Sequence, residues 1–361
     1  MKKINKKMPI GVLNGSETKE IFELAKKNNY AIPSINCINT DSINTILKTA
    51  NYMKSPVIIQ FSYGGSTFLS GKENTNNKKL FQEAIDGAIS GAQHIHLMSK
   101  YYNIPIILHT DHCNKELLPW IQGLIKVGEK FFKDHQRPLF SSHMLDLSQE
   151  SLKNNIKTCS KYLKKMNKIN MLLEIELGCT GGEEDGIDNT NLEKKYLYTK
   201  PKEVNYAYQK LSKISPLFSI AASFGNVHGV YKKGNIDLKP KILKKSQIYV
   251  QHKNNISQVN PLNFVFHGGS GSSLSDIHKS IKYGVVKINF DTDIQWFTWE
   301  GILKFYKKYK NYLQSQLGNP QGINQPNKKY YDPRNWIKKS QNNTYLKLQK
   351  IFKNLNAINI L

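Results

Sequence analysis

The sequence predicts a (β/α)8 TIM barrel carrying additional N-terminal and C-terminal helices. Three observations lead there. Eight short apolar runs, rich in β-branched residues, alternate with helical stretches along the 361 residues. Each run halts in a polar or glycine-rich segment, as barrel strands do at the end that carries chemistry. Glycines cluster after the fifth, sixth and seventh runs. An open dinucleotide-binding sheet would place its phosphate fingerprint after the first. The whole chain, 1–361, is expected to form one barrel domain with a C-terminal helical extension from about 296 to 361.

Taken in order, Ser16 to Asn28 reads as an amphipathic helix carrying Ile21, Phe22, Leu24 and Ala25 on its apolar side. The first strand, AIPSINC, ends at Asn36, and a helix follows from Thr40 to Tyr52. The second, PVIIQFS, ends at Ser62 before the turn Gly64–Gly65; after a polar insert comes a helix from Phe81 to Tyr102. IPIILHTDH is third. PLFSSHM is fourth, ending near Ser142 and Asp146, and its helix spaces Leu152, Ile156, Cys159, Leu163 and Met166 at alternating intervals of four and three. MLLEIELG is fifth, unusual for Glu174 and Glu176 in an apolar strand, and Val204 to Ile214 is its helix. PLFSIAASFGNVHG ends at His228, PLNFVFHGGSGS at His267, and YGVVKINFDTD at Asn289 and Asp291. An aromatic-rich helix (Trp296 to Leu317), a loop from Gly318 to Pro333 that wraps the barrel or reaches a partner subunit, and a last helix to Asn354 complete the chain.

Lys+Arg 52 against Asp+Glu 27 gives a net charge of +25, which on its face suggests nucleic acid or an anionic membrane. The lysines are scattered beside Asn and Ile without a long basic block, so the charge reads as a solvated surface and no nucleic acid is expected. Only Arg137 and Arg334 are arginines, which singles both out for sites needing a planar, bidentate fork. Four cysteines (Cys37, Cys113, Cys159, Cys179) show no CxxC pairing. The basic start is followed by no apolar h-region, and no run reaches membrane-spanning length. A cytoplasmic protein with reduced thiols and no membrane association is expected.

The third run, ILHTDHC, delivers Asp111 and His112 from the end of one rigid element, a proton carrier beside a metal ligand. A lone histidine near a core is usually structural. His112, His228 and His267, however, all fall at strand ends, and three imidazoles at one mouth match a catalytic Zn²⁺ with an open position. Without an HxxxH or HExxH signature, spacing leaves both readings open. His109 and His143 read as packing or supporting residues. HGGSGS and NFDTD lie where barrels build phosphate sites, with Gly268, Gly269, Ser270, Asn289 and Thr292 as donors. Glu183, Glu184 and Asp185 lie on a glycine-hinged segment able to close as a lid, although an EED run on spacing alone reads as a solvated turn. Glu176, an acid in an apolar strand, needs a partner, and a metal is one.

The motifs FSYGG, ILHTDHC with LLPW, FSSHMLDLS, LEIELGCTGGEEDG, AASFGNVHGVY, NFVFHGGSGS, INFDTDIQW and NKKYYDPR, in this order, resemble the class II, metal-dependent fructose-1,6-bisphosphate aldolases of the bacterial and fungal type, essentially end to end. The resemblance implies reversible aldol cleavage with Zn²⁺ as electron sink, bound by His112, His228 and His267. Asp146 and Glu176 match residues holding a displaced or second metal. It further implies Asp111 as acid/base at the C4 hydroxyl, Glu184 as the lid acid at the C1 proton, and Asn289 as a stabiliser of the enediolate. Ser62, Gly229, Gly268, Gly269, Ser270, Asp291 and Thr292 match positions around the bound triose phosphate, with Asn36 lining the site. Arg334 matches an arginine delivered by a neighbouring subunit, which implies a homodimer. A monovalent cation, Na⁺ or K⁺, is implied near Val227 and Gly229. Alternatives are a tagatose-1,6-bisphosphate aldolase, a zinc hydrolase on the same barrel, a basic nucleic-acid- or surface-binding protein, and a Schiff-base aldolase using Lys287, which would not require three histidines at the mouth.

Overall fold

The computed structural model describes residues 8–71, 80–184, 187–189, 197–229 and 237–361; the side chains of residues 80, 182–184, 187–189 and 228 fall outside that description. Most of the lysine-rich start and the polar insert before Phe81 therefore lie outside it.

All eight expected runs form strands: β1 (Ile32–Asn36), β2 (Val57–Phe61), β3 (Pro105–Thr110), β4 (Ser142–Leu145), β5 (Leu172–Leu177), β6 (Phe218–Ala222), β7 (Phe264–Phe266) and β8 (Val285–Phe290). Each pairs parallel with the next, and β8 returns to β1 with Asn289 opposite Ser34, which closes the barrel. Closure explains the composition. Helices cover the outside and side chains fill the inside, so a strand such as VIIQF has no wet face and reads as continuously apolar.

Ahead of the barrel, helix α1 (Gly15–Asn28) opens on a capping box between Asn14 and Glu17 and stops at Asn29 in the left-handed conformation. Gly15 lies against the Asn170–Met171 backbone just before β5, where a Cβ would meet Met171 C at 2.8 Å. Arg137 proves structural. Its fork grips the Glu17 carboxylate at 3.2 and 2.6 Å and the Val12 carbonyl at 3.1 Å, tying the leading segment to the approach to β4.

The ring of helices comprises α2 (Thr40–Met53), α3 (Tyr63–Leu69), α4 (Leu80–Ser99), α5 (Leu118–His135), α6 (Leu152–Asn167), α7 (Pro201–Leu211), α8 (Lys241–Lys253), α9 (Leu274–Lys282) and α10 (Thr292–Tyr309). Helix α10 begins four residues before the expected Trp296, because Ile294 is the single apolar residue of its first turn and one residue sets no periodicity. The segment 318–333 is more ordered than a loop. It folds into a hairpin of Leu317–Asn319 with Gly322–Pro326, followed by the short helix α11 (Lys328–Tyr331). Asn327, fully buried, holds the hairpin by donating to the Ser315 and Gly318 carbonyls, each at 2.9 Å. Finally α12 (Pro333–Asn354) packs on α10 and α2, and its Leu348, Ile351 and Phe352 join the core.

One core histidine makes stability depend on pH. His143, on β4, bonds Thr110 Oγ1 at 2.8 Å, and burial pushes its pKa down to about 3. Below the ordinary value near 6.5 the unfolded chain takes a proton that the folded chain refuses. Stability is thus complete above that pH and is lost as pH falls towards 3, by about 1.4 kcal/mol per pH unit from this group. Urea midpoints measured from pH 7 to 4 are expected to fall less steeply in His143→Gln than in the parent. Equal slopes would remove the assignment.

Candidate metal centre and active site

The site grows out of the period-two alternation of the strands, which sends every second side chain into the barrel and lines the C-terminal mouth with the last of them. Asp111 follows β3 directly and is 1% exposed. Its Oδ2 accepts from Gln60 Nε2 at 2.7 Å and Asn36 Nδ2 at 3.2 Å, and its Oδ1 accepts from Asn289 Nδ2 at 3.2 Å. Three amides from β1, β2 and β8 therefore hold one carboxylate from three sides. Gln60 is the residue that sequence reading missed. Its signal was present as a lone amide in the apolar run PVIIQFS, but a neutral amide carries no chemistry of its own until its partner is known.

Immediately after Asp111 the chain turns through His112, whose φ of +32° is a sparsely populated conformation for a residue with a Cβ. The turn brings His112 Nδ1 to 3.2 Å from Asp146 Oδ2 and 3.7 Å from Glu176 Oε2. His267 comes from the end of β7, with Nδ1 at 3.4 Å from Glu176 Oε2 and Nε2 at 2.9 Å from Glu174 Oε1. The two rings stand edge to face, centroids 4.6 Å apart. Asp146 is further held by Ser148, through N at 3.2 Å and Oγ at 2.6 Å, and Glu176 Oε1 accepts from Thr180 Oγ1 at 2.9 Å.

These residues fit a divalent cation. His112 with Asp146 and Glu176, and His112 with Asp111 and His267, offer ligand atoms within 4.8 Å of one another. Glu176 Oε2 is buried between two imidazole nitrogens, His267 Nδ1 at 3.4 Å and His112 Nδ1 at 3.7 Å, so carboxylate and ring nitrogens face one point where a cation would satisfy them together. The electrostatics agree. Burial opposes charge at His267, yet Glu176 and Glu174 together hold its pKa up to about 9. Burial likewise opposes charge at Asp146, but His112 and Ser148 hold it at about 2. The pocket favours positive charge flanked by ionised acids. A nitrogen and oxygen donor set suits zinc among other ions.

The side chains of His228 and Glu184 lie outside the described residues, as does Asp185. The backbone still places the first two. Val227–His228 is a strand paired parallel with Gly181–Gly182, His228 opposite Gly182. Gly181–Glu184 pairs antiparallel with Ile187–Asn189. The acidic segment expected as a hinged loop is thus, at Gly181–Glu184, a strand of a small sheet. Gly268, with φ +68°, abuts the same strand: a Cβ there would lie 2.3 Å from the Val227 carbonyl oxygen. His228 is by this route brought beside the turn that carries His267.

Among the expected phosphate donors, the Gly269 N–H is already given to the Asn289 carbonyl at 3.1 Å, which ties the β7 loop to β8. Ser270 Oγ accepts from Asp293 N at 3.4 Å at the start of α10, next to Thr292. Asp291 is the N-cap residue of α10, and its Oδ2 accepts from Gln295 Nε2 at 2.9 Å. Ser62 caps α3 by accepting from Gly65 N at 3.1 Å. Gly229 has a φ of +97°. Arg334 stands apart. Its side chain is 88% exposed and bonds Asp332 within the chain at 2.7 Å, touching none of these groups among the described residues. Lys287, the candidate for a Schiff base, is 1% exposed and ion-paired with Glu174 at 2.8 Å, so its amine is engaged away from the mouth's ligand groups.

Residues 16–359 match the family described as fructose-bisphosphate aldolase class-II. The chain is 64% identical over 361 residues, covering all of both chains, to the fructose-bisphosphate aldolase class 2 of Buchnera aphidicola from Schizaphis graminum. It is 58% identical over 351 residues, 97% of each chain, to the fructose-bisphosphate aldolase class 2 of Escherichia coli. A crystal structure of fructose-bisphosphate aldolase from Campylobacter jejuni superposes with a TM-score of 0.88 at 51% identity, covering 98% of this chain and 97% of the other. With the acid, the imidazoles and the barrel mouth in place, the conclusion is direct: the chain belongs to the class II fructose-bisphosphate aldolase family.

Proposed function

We propose that the chain is a metal-dependent lyase that reversibly cleaves fructose 1,6-bisphosphate to dihydroxyacetone phosphate and glyceraldehyde 3-phosphate, with Zn²⁺ held by His112, His228 and His267. The observation that carries this reading is the Asp111 carboxylate, buried and held by three amides, directly beside His112 and His267. The ion, when bound, supplies an electron sink for the charge left as the C3–C4 bond breaks. Asp111 takes the proton of the C4 hydroxyl, and the amides of Asn36, Gln60 and Asn289 keep it aimed. Asn289 also supports the charge developing on the three-carbon ketose. Glu184 exchanges the proton at C1. Asp146 and Glu176 hold a displaced or second metal. Ser62, Gly229, Gly268, Gly269, Ser270, Asp291 and Thr292 surround the ketose phosphate, with Na⁺ or K⁺ near Val227 and Gly229.

A homodimer follows from the same reading. Arg334 is exposed to solvent, while Trp296 and Trp299 on α10 and Ile323 on the hairpin are exposed at 54%, 52% and 84%, large apolar side chains that a second copy would cover. The single domain with its helical extension, and a cytoplasmic location in keeping with four free, buried thiols, complete the proposal.

Purified protein given fructose 1,6-bisphosphate or tagatose 1,6-bisphosphate in a coupled assay is expected to cleave the fructose sugar preferentially. Turnover of neither sugar would sink the reading, and equal turnover would remove its stereochemical part. Arg334→Lys is expected to raise KM for the six-carbon bisphosphate at least tenfold, because a point charge loses bidentate phosphate recognition worth about 1.5–3 kcal/mol. Exchange of the C1 proton of the three-carbon ketose should barely change. Equal loss in both measurements would take Arg334 away from the distal phosphate.

A further inference from the structure

Two charged residues inside the barrel have no role in the chemistry above. Lys287 Nζ on β8 lies 2.9 and 2.8 Å from the two carboxylate oxygens of Glu174 on β5, and both side chains are 1% exposed. Barrel interiors are ordinarily filled by branched apolar side chains. A buried ion pair is expensive to desolvate, and an apolar pair of similar volume often does as well or better. Packing alone does not account for it.

The neighbours of the pair do. Glu174 Oε1 also lies 2.9 Å from His267 Nε2, whereas His267 Nδ1 faces Glu176 Oε2 at 3.4 Å on the side of the metal ligands. An ionised carboxylate can only accept, so this contact requires a proton on Nε2 and leaves Nδ1 as the nitrogen that can give up its own to a metal. His109 completes the cluster, Nε2 at 3.6 Å from Glu174 Oε2 and Nδ1 at 2.7 Å from Ser142 Oγ. Glu174 is thereby gripped by Lys287 and His267, with His109 packed beside it, and one of its oxygens is left aligned with a single ring nitrogen.

We propose that Lys287, acting through Glu174, is a positioning residue that sets the tautomer and ring orientation of His267, so that Nδ1 is the nitrogen presented to the metal. The inference rests on the reading of His267 as a metal ligand. Lys287 holds both oxygens of Glu174, and Glu174 holds Nε2–H. Removing the cation frees the carboxylate to turn, and the ring with it. Outer partners of this kind typically change metal affinity 10–100-fold.

The test uses the whole protein and zinc alone. Nitrogen–proton correlation spectra of the histidine rings in the zinc-loaded protein, with His267 assigned by its loss in His267→Gln, are expected to show a proton on Nε2 and coordination through Nδ1. The opposite arrangement overturns the proposal without any further variant. In Lys287→Met, zinc affinity measured against a chromophoric chelator is expected to fall about 10–100-fold, with mixed ring signals. Lys287→Arg, which keeps the cation, should recover most of the loss. Glu174→Gln, whose amide can donate to Nε2, should weaken zinc similarly and leave the metal-free ring without its proton on Nε2. Unchanged affinity and ring signals in Lys287→Met and Glu174→Gln overturn the proposal. Should His267→Gln itself bind zinc as tightly as the parent, the ligand assignment fails instead, a separable result.

Discussion

Asp111→Asn is expected to lower kcat for cleavage of fructose 1,6-bisphosphate by roughly 10²–10⁴-fold, the range that a positioned general base contributes. The substitution keeps the size of the side chain and removes the proton acceptor. It also sets an amide against Gln60 Nε2, Asn36 Nδ2 and Asn289 Nδ2, all of which now donate to the carboxylate. One of those donors then faces another donor, so a loss of about 1–3 kcal/mol in stability is expected as well, measurable by urea unfolding. The two effects separate through the partial reaction. A base acting at the C4 hydroxyl has no part in exchanging the C1 proton of dihydroxyacetone phosphate, so that exchange should survive in the variant. Parallel loss of cleavage and exchange would place Asp111 elsewhere in the mechanism.

Removal of the metal is the second large effect. Chelation to measured metal-free protein is expected to reduce cleavage at least about a thousandfold, since an electron sink worth several kcal/mol is lost and each 1.36 kcal/mol is tenfold in rate. Stoichiometric Zn²⁺ should restore it. The far-ultraviolet dichroism should hardly change, because the barrel is closed by its own strand ladder from β8 to β1 and does not depend on an ion. Full activity in stripped protein, or trapping of an imine by borohydride, would defeat the metal-dependent reading. Lys287 is poorly placed for an imine, as its Nζ is held at 2.9 and 2.8 Å by both oxygens of Glu174.

The strands and their ends were legible in the sequence because both signals are local. A run such as IIL followed by HTDH announces a buried strand and its polar exit within ten residues. The placement of Asp111, His112, His267 and Asn289 around one mouth then follows from barrel geometry, in which every strand points its end the same way. Other features were not legible, for stated reasons. The start of α10 has one apolar residue, Ile294, among polar ones, so periodicity dates it late. The hairpin at 317–326 is held by one buried side chain, Asn327, and hardly by pattern. Arg137 and Arg334 looked alike as rare residues, yet the first grips Glu17 across 120 positions and the second is exposed.

By itself, then, the sequence determined the barrel, the family and the set of groups at the strand ends, since each depends on neighbours in the chain. Only the tertiary structure decided which of those groups touch. Gln60 meets Asp111 across 51 positions, and Lys287 meets Glu174 across 113. No periodicity reaches that far. The buried polar side chains of Gln60, Glu174 and Lys287 acquire meaning only when closure of the cylinder sets donor against acceptor inside it, shielded from bulk solvent, where each unpaired group would be costly.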